Sequence, residues 1–257
     1  MTKAAELAKM GEVLTNSQIG GRRNIVINGA MQVAQRATSS TDIGGSSGYF
    51  TCDRWHMSPS GTAGRLTMTQ DSSAPSGFAN SIKLDCTTAD TSIASSEFLL
   101  FTHKFEGQDV QSFAKGTSDA KQFSLSFYVK GNASATYVAE LMDEDNSNRH
   151  VNKSFSVTTN WTRVELLFPA DTTGTLDDDN ALSLSLNIWL HAGSDFTSGS
   201  LQTTWGALSQ TSRAVGISSF FSSTDNTFFI TGVQLEVGNQ ATPFEHRSFG
   251  EELALCQ

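Results

Sequence analysis

Two aromatic residues stand where a polar residue is expected. Phe123, Leu125, Phe127 and Val129 alternate with Ser124, Ser126 and Tyr128. Further along, Leu182, Leu184, Leu186, Ile188 and Leu190 alternate with Ser183, Ser185, Asn187 and Trp189. A strand repeats every two residues, so Tyr128 and Trp189 fall on the face opposite the apolar set. A ring exposed there can pack on the C–H face of a sugar. Ser126, Asn187 and His191 would supply hydroxyl, amide and imidazole groups for the sugar's rim. These five residues form the candidate glycan-binding group. The competing reading is that a loop or a neighbouring subunit covers both rings.

Two further clusters invite chemistry and read better as structure. Asp53-Arg54-Trp55 places a large apolar face beside a possible ion pair, and Glu245-His246-Arg247 forms a charged triplet able to cross-link a strand exit. His246, beside a carboxylate and a guanidinium in a turn, is expected to act as a hydrogen-bonded brace and not as a catalytic base. The acidic stretches Asp143-Glu144-Asp145 and Asp177-Asp178-Asp179-Asn180 carry oxygen donors but match no EF-hand loop. They are expected to be solvated turns, with no metal site and no cofactor. Nucleophile elbow, P-loop and H-E-x-x-H signatures are absent, so the chain is expected not to be an enzyme. A carboxylate pair for glycoside hydrolysis is a property of the fold and stays open at this point.

Composition narrows the partners. The net charge is −9, with 17 Lys and Arg against 26 Asp and Glu, which argues against recognition through phosphates and hence against nucleic acid. No run is apolar for the length that spans a bilayer, and MTKAAELAKMGEVL lacks a signal-peptide apolar block. Membrane insertion and export by that route are not expected. The three cysteines, Cys52, Cys86 and Cys256, are odd in number and widely spaced, which suggests neither a disulfide framework nor a zinc motif. Abundant Ser and Thr, with 17 Phe, suit half-buried strands better than helices.

The elements that must position these residues are mostly strands. Besides the two above, expected strands are Asn24–Asn28, Arg65–Gln70, Ser81–Cys86, Glu97–Phe105, Thr136–Met142, Lys153–Val157, Trp161–Phe168 and Asn226–Thr231. The last runs into Val233, Leu235 and Val237, which alternate with Gln234 and Glu236. Around ten strands without an internal repeat predict an antiparallel jelly-roll β-sandwich over residues 22–247. Residues 1–21 are expected to form a short helical arm ending at Gly20-Gly21, read as an attachment or trimer-forming segment because so short a helix needs a partner surface, with a frayed terminus as the alternative. Ser248-Phe249-Gly250-Glu251 has the form of a capping box, which predicts a short helix over 248–257.

Three segments also carry a family likeness: RRNIVINGAMQVAQR at Arg22–Arg36, YFTCDRW at Tyr49–Trp55 and GVQLEVGNQATPFEHRSFGEELALCQ at Gly232–Gln257. In these the chain resembles a family of phage virion and tail-fibre proteins of marine and cyanobacterial phages. SLSFYVKG, TTNWTRVELLF and the Leu182–Leu190 strand resemble the jelly-roll scaffold of carbohydrate-binding modules. The resemblance implies a homotrimeric component of the virion, assembled in the host cytoplasm. It would contact other virion proteins through its N-terminal arm and present a surface toward host glycans from a tail fibre or appendage. A capsid decoration or connector without a ligand, or a polysaccharide-degrading tailspike, are the alternatives.

Overall fold

The computed structural model describes Lys3 and residues 22–257. The arm expected over 1–21 lies outside the described residues, Lys3 apart. Among the described residues, eleven strands form two antiparallel sheets. The six-stranded sheet runs in the order β1 (Ser39–Ile43), β3 (Arg65–Asp71), β4 (Ser81–Thr88), β11 (Thr227–Val237), β6 (Phe123–Gly131) and β9 (Thr162–Phe168). The five-stranded sheet runs β2 (Trp55–Ser60), β5 (Phe98–Glu106), β10 (Leu182–Ala192), β7 (Ala135–Asp143) and β8 (Arg149–Val157). The architecture is the jelly-roll sandwich that the alternation predicts.

One phase of each strand points between the sheets. Phe123, Leu125, Phe127 and Val129 of β6 meet Leu184, Leu186, Ile188 and Leu190 of β10 in a single core, joined by Ile230 and Leu235 of β11 and Phe101 of β5. Each such side chain, fully buried, contributes roughly 1.5–3 kcal/mol. The opposite phase makes two outer faces, so Tyr128 and Ser126 stand on one side of the molecule and Trp189, Asn187 and His191 on the other.

One expected strand is corrected, and two strands are found that the sequence did not predict. Asn24–Asn28 is not a strand but an irregular buried segment. The Asn24 amide oxygen accepts the backbone N–H groups of Val26 and Leu235, and its amide nitrogen donates to the Val233 carbonyl, so one side chain replaces ladder bonds. At Asn28 the backbone turns left-handed (φ 57°), which ends any extended run. β1 and β2 were not expected from the sequence. The former is a short hydroxyl-rich edge strand. The latter carries Pro59 and also lies at a sheet edge, where a residue without an N–H is tolerated.

The closing segment locks the chain's described start to its end. Arg247, with its side chain 4% exposed, donates to the carbonyls of Val26 (3.1 Å) and Asn24 and pairs with Glu252 (3.3 Å). Glu245 accepts the Asn24 N–H at 2.9 Å. The Ser248 hydroxyl accepts from the Glu251 N–H and caps a helix over Phe249–Cys256, as the capping box predicts. Arg54 reaches that helix's Leu255 carbonyl at 2.7 Å. Cys52, Cys86 and Cys256 are free thiols, and burial pushes the Cys52 thiol up to about 12.

Candidate functional site

Trp189 is fully buried, which corrects the exposure its phase suggests. The long connection from Gly193 to Asn226 folds over the outer face of the five-stranded sheet. Trp189 joins Leu100, Val138, Phe196 and Ala214 in a second apolar cluster there. Its indole N–H donates to Glu140 at 3.1 Å, and the Arg213 guanidinium lies over its ring at 4.6 Å. Asn187, also buried, donates to Glu140 at 3.0 Å and accepts from Thr102 at 2.9 Å. Arg213 grips both Glu140 oxygens at 2.8 and 2.7 Å. His191 is buried at the rim of this face, with Nδ1 2.7 Å from the Ser219 hydroxyl. The competing reading of Trp189, a covering loop, is the observed one.

These buried charges give the protein a defined acid response. The Arg213 guanidinium and its hydrogen bonds outweigh burial and hold Glu140 down at about 2, against an ordinary 4.5. Burial lowers His103 to about 3, the imidazole keeping a contact of 3.0 Å with the Ile27 carbonyl. Both groups bind protons more readily when unfolded, so both contributions are complete at neutral pH and shrink with acid. The His103 contribution declines from about pH 6.5 toward 3 and the Glu140 contribution from about 4.5 toward 2. Urea midpoints at pH 7, 5 and 3 are therefore expected to fall in that order. A midpoint at pH 3 equal to that at pH 7 would contradict this assignment.

The acidic turn Asp143–Asp145 is not solvated as expected. Asp143 is buried and ion-paired with Lys115, itself wholly buried. The Lys115 ammonium also donates to the carbonyls of Thr173 (2.9 Å) and Gly174 (2.8 Å) and pairs with Asp171 at 3.2 Å. Asp177, Asp178 and Asp179 are exposed. Asp53 anchors Arg36 and the Gln35 amide, both at 2.7 Å, instead of pairing with Arg54. Trp55 stacks on Phe101 with centroids 4.6 Å apart and donates to the Asn28 carbonyl at 3.1 Å. His246 is exposed and packs by its ring on Phe78 (5.2 Å) and Phe244 (4.9 Å), not on a carboxylate.

The outer face of the six-stranded sheet is different. Its lower half is closed by the segment after β11. There the Thr242 N–H and hydroxyl donate to Glu236 at 2.8 and 2.7 Å, and Arg163 donates to the Thr242 carbonyl at 2.6 Å. Ser126 is buried beneath it, 3.5 Å from the Arg163 guanidinium. The upper half is more open, covered only in part by the β3–β4 connection through Ser73 and Phe78. Cross-strand register sets Lys83 of β4 opposite Phe229 of β11, and Phe229 opposite Lys130 of β6. Trp161, just before β9, extends this row.

Trp161 and Phe229 are half-buried, with centroids 6.1 Å apart. The Lys130 ammonium lies 5.3 Å from the Trp161 centroid and 4.5 Å from that of Phe229, and it donates to the Ser73 hydroxyl at 2.9 Å. Lys83 stands 5.9 Å from the Phe229 centroid and 3.0 Å from Asp85. In the next row Tyr128 is half-buried, 5.4 Å from Phe78. Phe78 lies over Gly232, where φ is +63° and a Cβ would sit 2.6 Å from the Phe78 ring. The bulge in β11 at this point needs glycine for its backbone and for the ring above it.

Of the five candidates, only Tyr128 stands on the open face. Sequence reasoning missed Trp161 and Phe229, although both fall on the polar phase of expected strands: Trp161 shares it with Arg163 and Glu165, and Phe229 follows the core residue Phe228. The available signal was the Phe228-Phe229 pair, since adjacent strand residues point to opposite faces. At the end of the same sheet a cleft of about 170 Å³ is lined by Asn132, Ser134, Ser218, Ser222, Asn226 and Thr227, among others. Asn132 and Thr227 each lie two positions from a member of the aromatic row. No helix among the described residues is long and apolar enough to cross a membrane.

No family model matches the chain, and no curated protein matches it. Solved structures do. One, of a CBM4, is 10% identical, with a TM-score of 0.43 over 82% of this chain and 98% of its own. CBM61 in complex with β-1,4-galactotriose is 10% identical, with a TM-score of 0.41 over 84% of this chain and all of its own. The enzymatically active domain of bacteriophage CBA120 tailspike protein 4 is 13% identical, with a TM-score of 0.39 over 84% of this chain and 21% of its own. At these identities and TM-scores, the chemistry of the site rests on this chain's own geometry.

Proposed function

We propose that this protein is a non-catalytic structural component of a bacteriophage particle that binds a host surface glycan through the open face of its six-stranded sheet. The observation that carries the binding reading is the partly exposed Trp161–Phe229 pair flanked by the Lys83 and Lys130 ammonium groups. Two rings offer apolar faces to sugar C–H groups. The lysines and Ser73 can donate to hydroxyls or carboxylates at the sugar's rim, and Asp85 can accept from hydroxyls, the division of labour usual in ligand sites. Two ammonium groups favour an acidic polysaccharide. The virion reading rests on the likeness of Arg22–Arg36, Tyr49–Trp55 and Gly232–Gln257 to phage virion and tail-fibre proteins, and with it come a homotrimer and a station on a fibre or appendage.

Trp161→Ala is expected to weaken binding to host cells by at least about tenfold, the effect of losing roughly 1.4 kcal/mol, while the circular dichroism spectrum is unchanged. Unchanged binding by the folded variant would remove this face from the proposal. A connector without a ligand is the second reading, favoured by the closed outer face of the five-stranded sheet. It predicts no saturable binding to host cells by the wild-type chain. Release of reducing ends from host polysaccharide would restore the depolymerase alternative.

A further inference from the structure

Five chain segments converge at one rim of the sandwich: the β2–β3 turn, the loop after β4, the residue before β5, the end of β10 and the turn at 219–222. Asp90, Glu97 and His191 meet there, with 5%, 7% and no exposure. One donor atom from each lies within 4.8 Å of the others. His191 Nε2 stands 3.5 Å from Glu97 Oε2. Both atoms are buried, and neither has a hydrogen-bond partner. Asp90 Oδ2 accepts from the Thr62 hydroxyl (2.7 Å) and the Ala63 N–H (2.8 Å), while Oδ1 holds only a longer contact of 3.3 Å from the Ser92 N–H.

This is an uncompensated arrangement. Among the described residues, neither carboxylate has an Arg or Lys partner, and a buried polar atom left unpaired costs about 1–3 kcal/mol, more when charged. We propose that Asp90, Glu97 and His191 bind one divalent transition-metal ion of the zinc class. Such an ion answers both orphaned atoms at once. One imidazole nitrogen with two carboxylate oxygens suits that class, whereas calcium takes six to eight oxygens. The Ser219 hydroxyl, 2.7 Å from His191 Nδ1, can accept the proton there and present Nε2 as the ligating nitrogen. Burial favours the neutral, ligating imidazole. The bound ion would tie the β2–β3 turn and the loop after β4 to the end of β10. This site is remote in kind from the aromatic face and does not depend on the glycan reading.

The test uses the full chain after removal of metal with a chelator. Cobalt(II) is expected to give visible d–d absorption saturating at one equivalent, without a thiolate charge-transfer band. Zinc should displace it and raise Tm. Glu97→Gln and Asp90→Asn, checked for folding by circular dichroism, should weaken cobalt binding by at least about tenfold. No cobalt absorption by the wild type would overturn the proposal whether or not the variants fold. A thiolate band, or equal binding by folded Glu97→Gln, would overturn it as well.

Discussion

Arg213→Ala is expected to destabilise the protein by about 3–5 kcal/mol, the range for removing one partner of a buried ion pair. The reason lies in what remains. Glu140 is fully buried and receives Arg213, Asn187 and the Trp189 indole, with His150 Nδ1 3.3 Å away. Without the guanidinium the carboxylate is left with neutral donors in a dry site. Its proton affinity must rise from the depressed value near 2, so the variant should also lose part of the wild type's acid sensitivity below pH 4.5. Arg213 lies in the covering connection, so the loss also loosens the lid over Trp189. Urea denaturation at pH 7 measures the effect. A loss below 1 kcal/mol would mean that the pair is solvated and the lid open.

Arg247→Ala is expected to cost about 3 kcal/mol, toward the lower end of the same range. Arg247 is the junction between the described start of the sandwich and its end, holding two carbonyls of the 24–26 segment and Glu252 of the C-terminal helix. Its loss leaves those carbonyls unanswered and the buried Glu252 carboxylate with the Asn28 N–H but no cation. Limited proteolysis should then cut near residues 22–28 or 245–257 before the sheets are attacked. Cleavage unchanged from wild type, with an unchanged Tm, would contradict the locking role.

The parts of the fold legible in the sequence are those where alternation is clean and one face is buried. β6, β10 and β11 follow directly from their apolar phases. The capped helix at Phe249–Cys256 follows from Ser248 and Glu251. β1 was illegible because SSTDI offers no apolar period, and β2 because Pro59 argues against a strand until the edge position is known. The candidate site was legible in part. Alternation places Trp189 and Tyr128 on the outer phases, but phase says nothing about what lies above a face. The warning was present in the apolar residues of the 193–226 connection, Phe196, Phe220 and Phe221 among them. These three are buried, Phe196 over Trp189 and Phe221 against His191. Cross-strand register across β4, β11 and β6, which assembles Lys83, Phe229 and Lys130, is a long-range property that no local pattern encodes.

The four tryptophans provide the most direct test of glycan binding at this face. Trp55, Trp189 and Trp205 donate their indole N–H groups inside the protein, to Asn28, Glu140 and Pro169. Trp161 is partly exposed on the outer face of the six-stranded sheet. In a titration of the ¹⁵N-labelled chain with oligosaccharides cut from host surface polysaccharide, the Trp161 indole resonance is expected to shift saturably while the other three stay in place. A saturable shift at one of the others with Trp161 unmoved would contradict the account, as would no shift at any of the four.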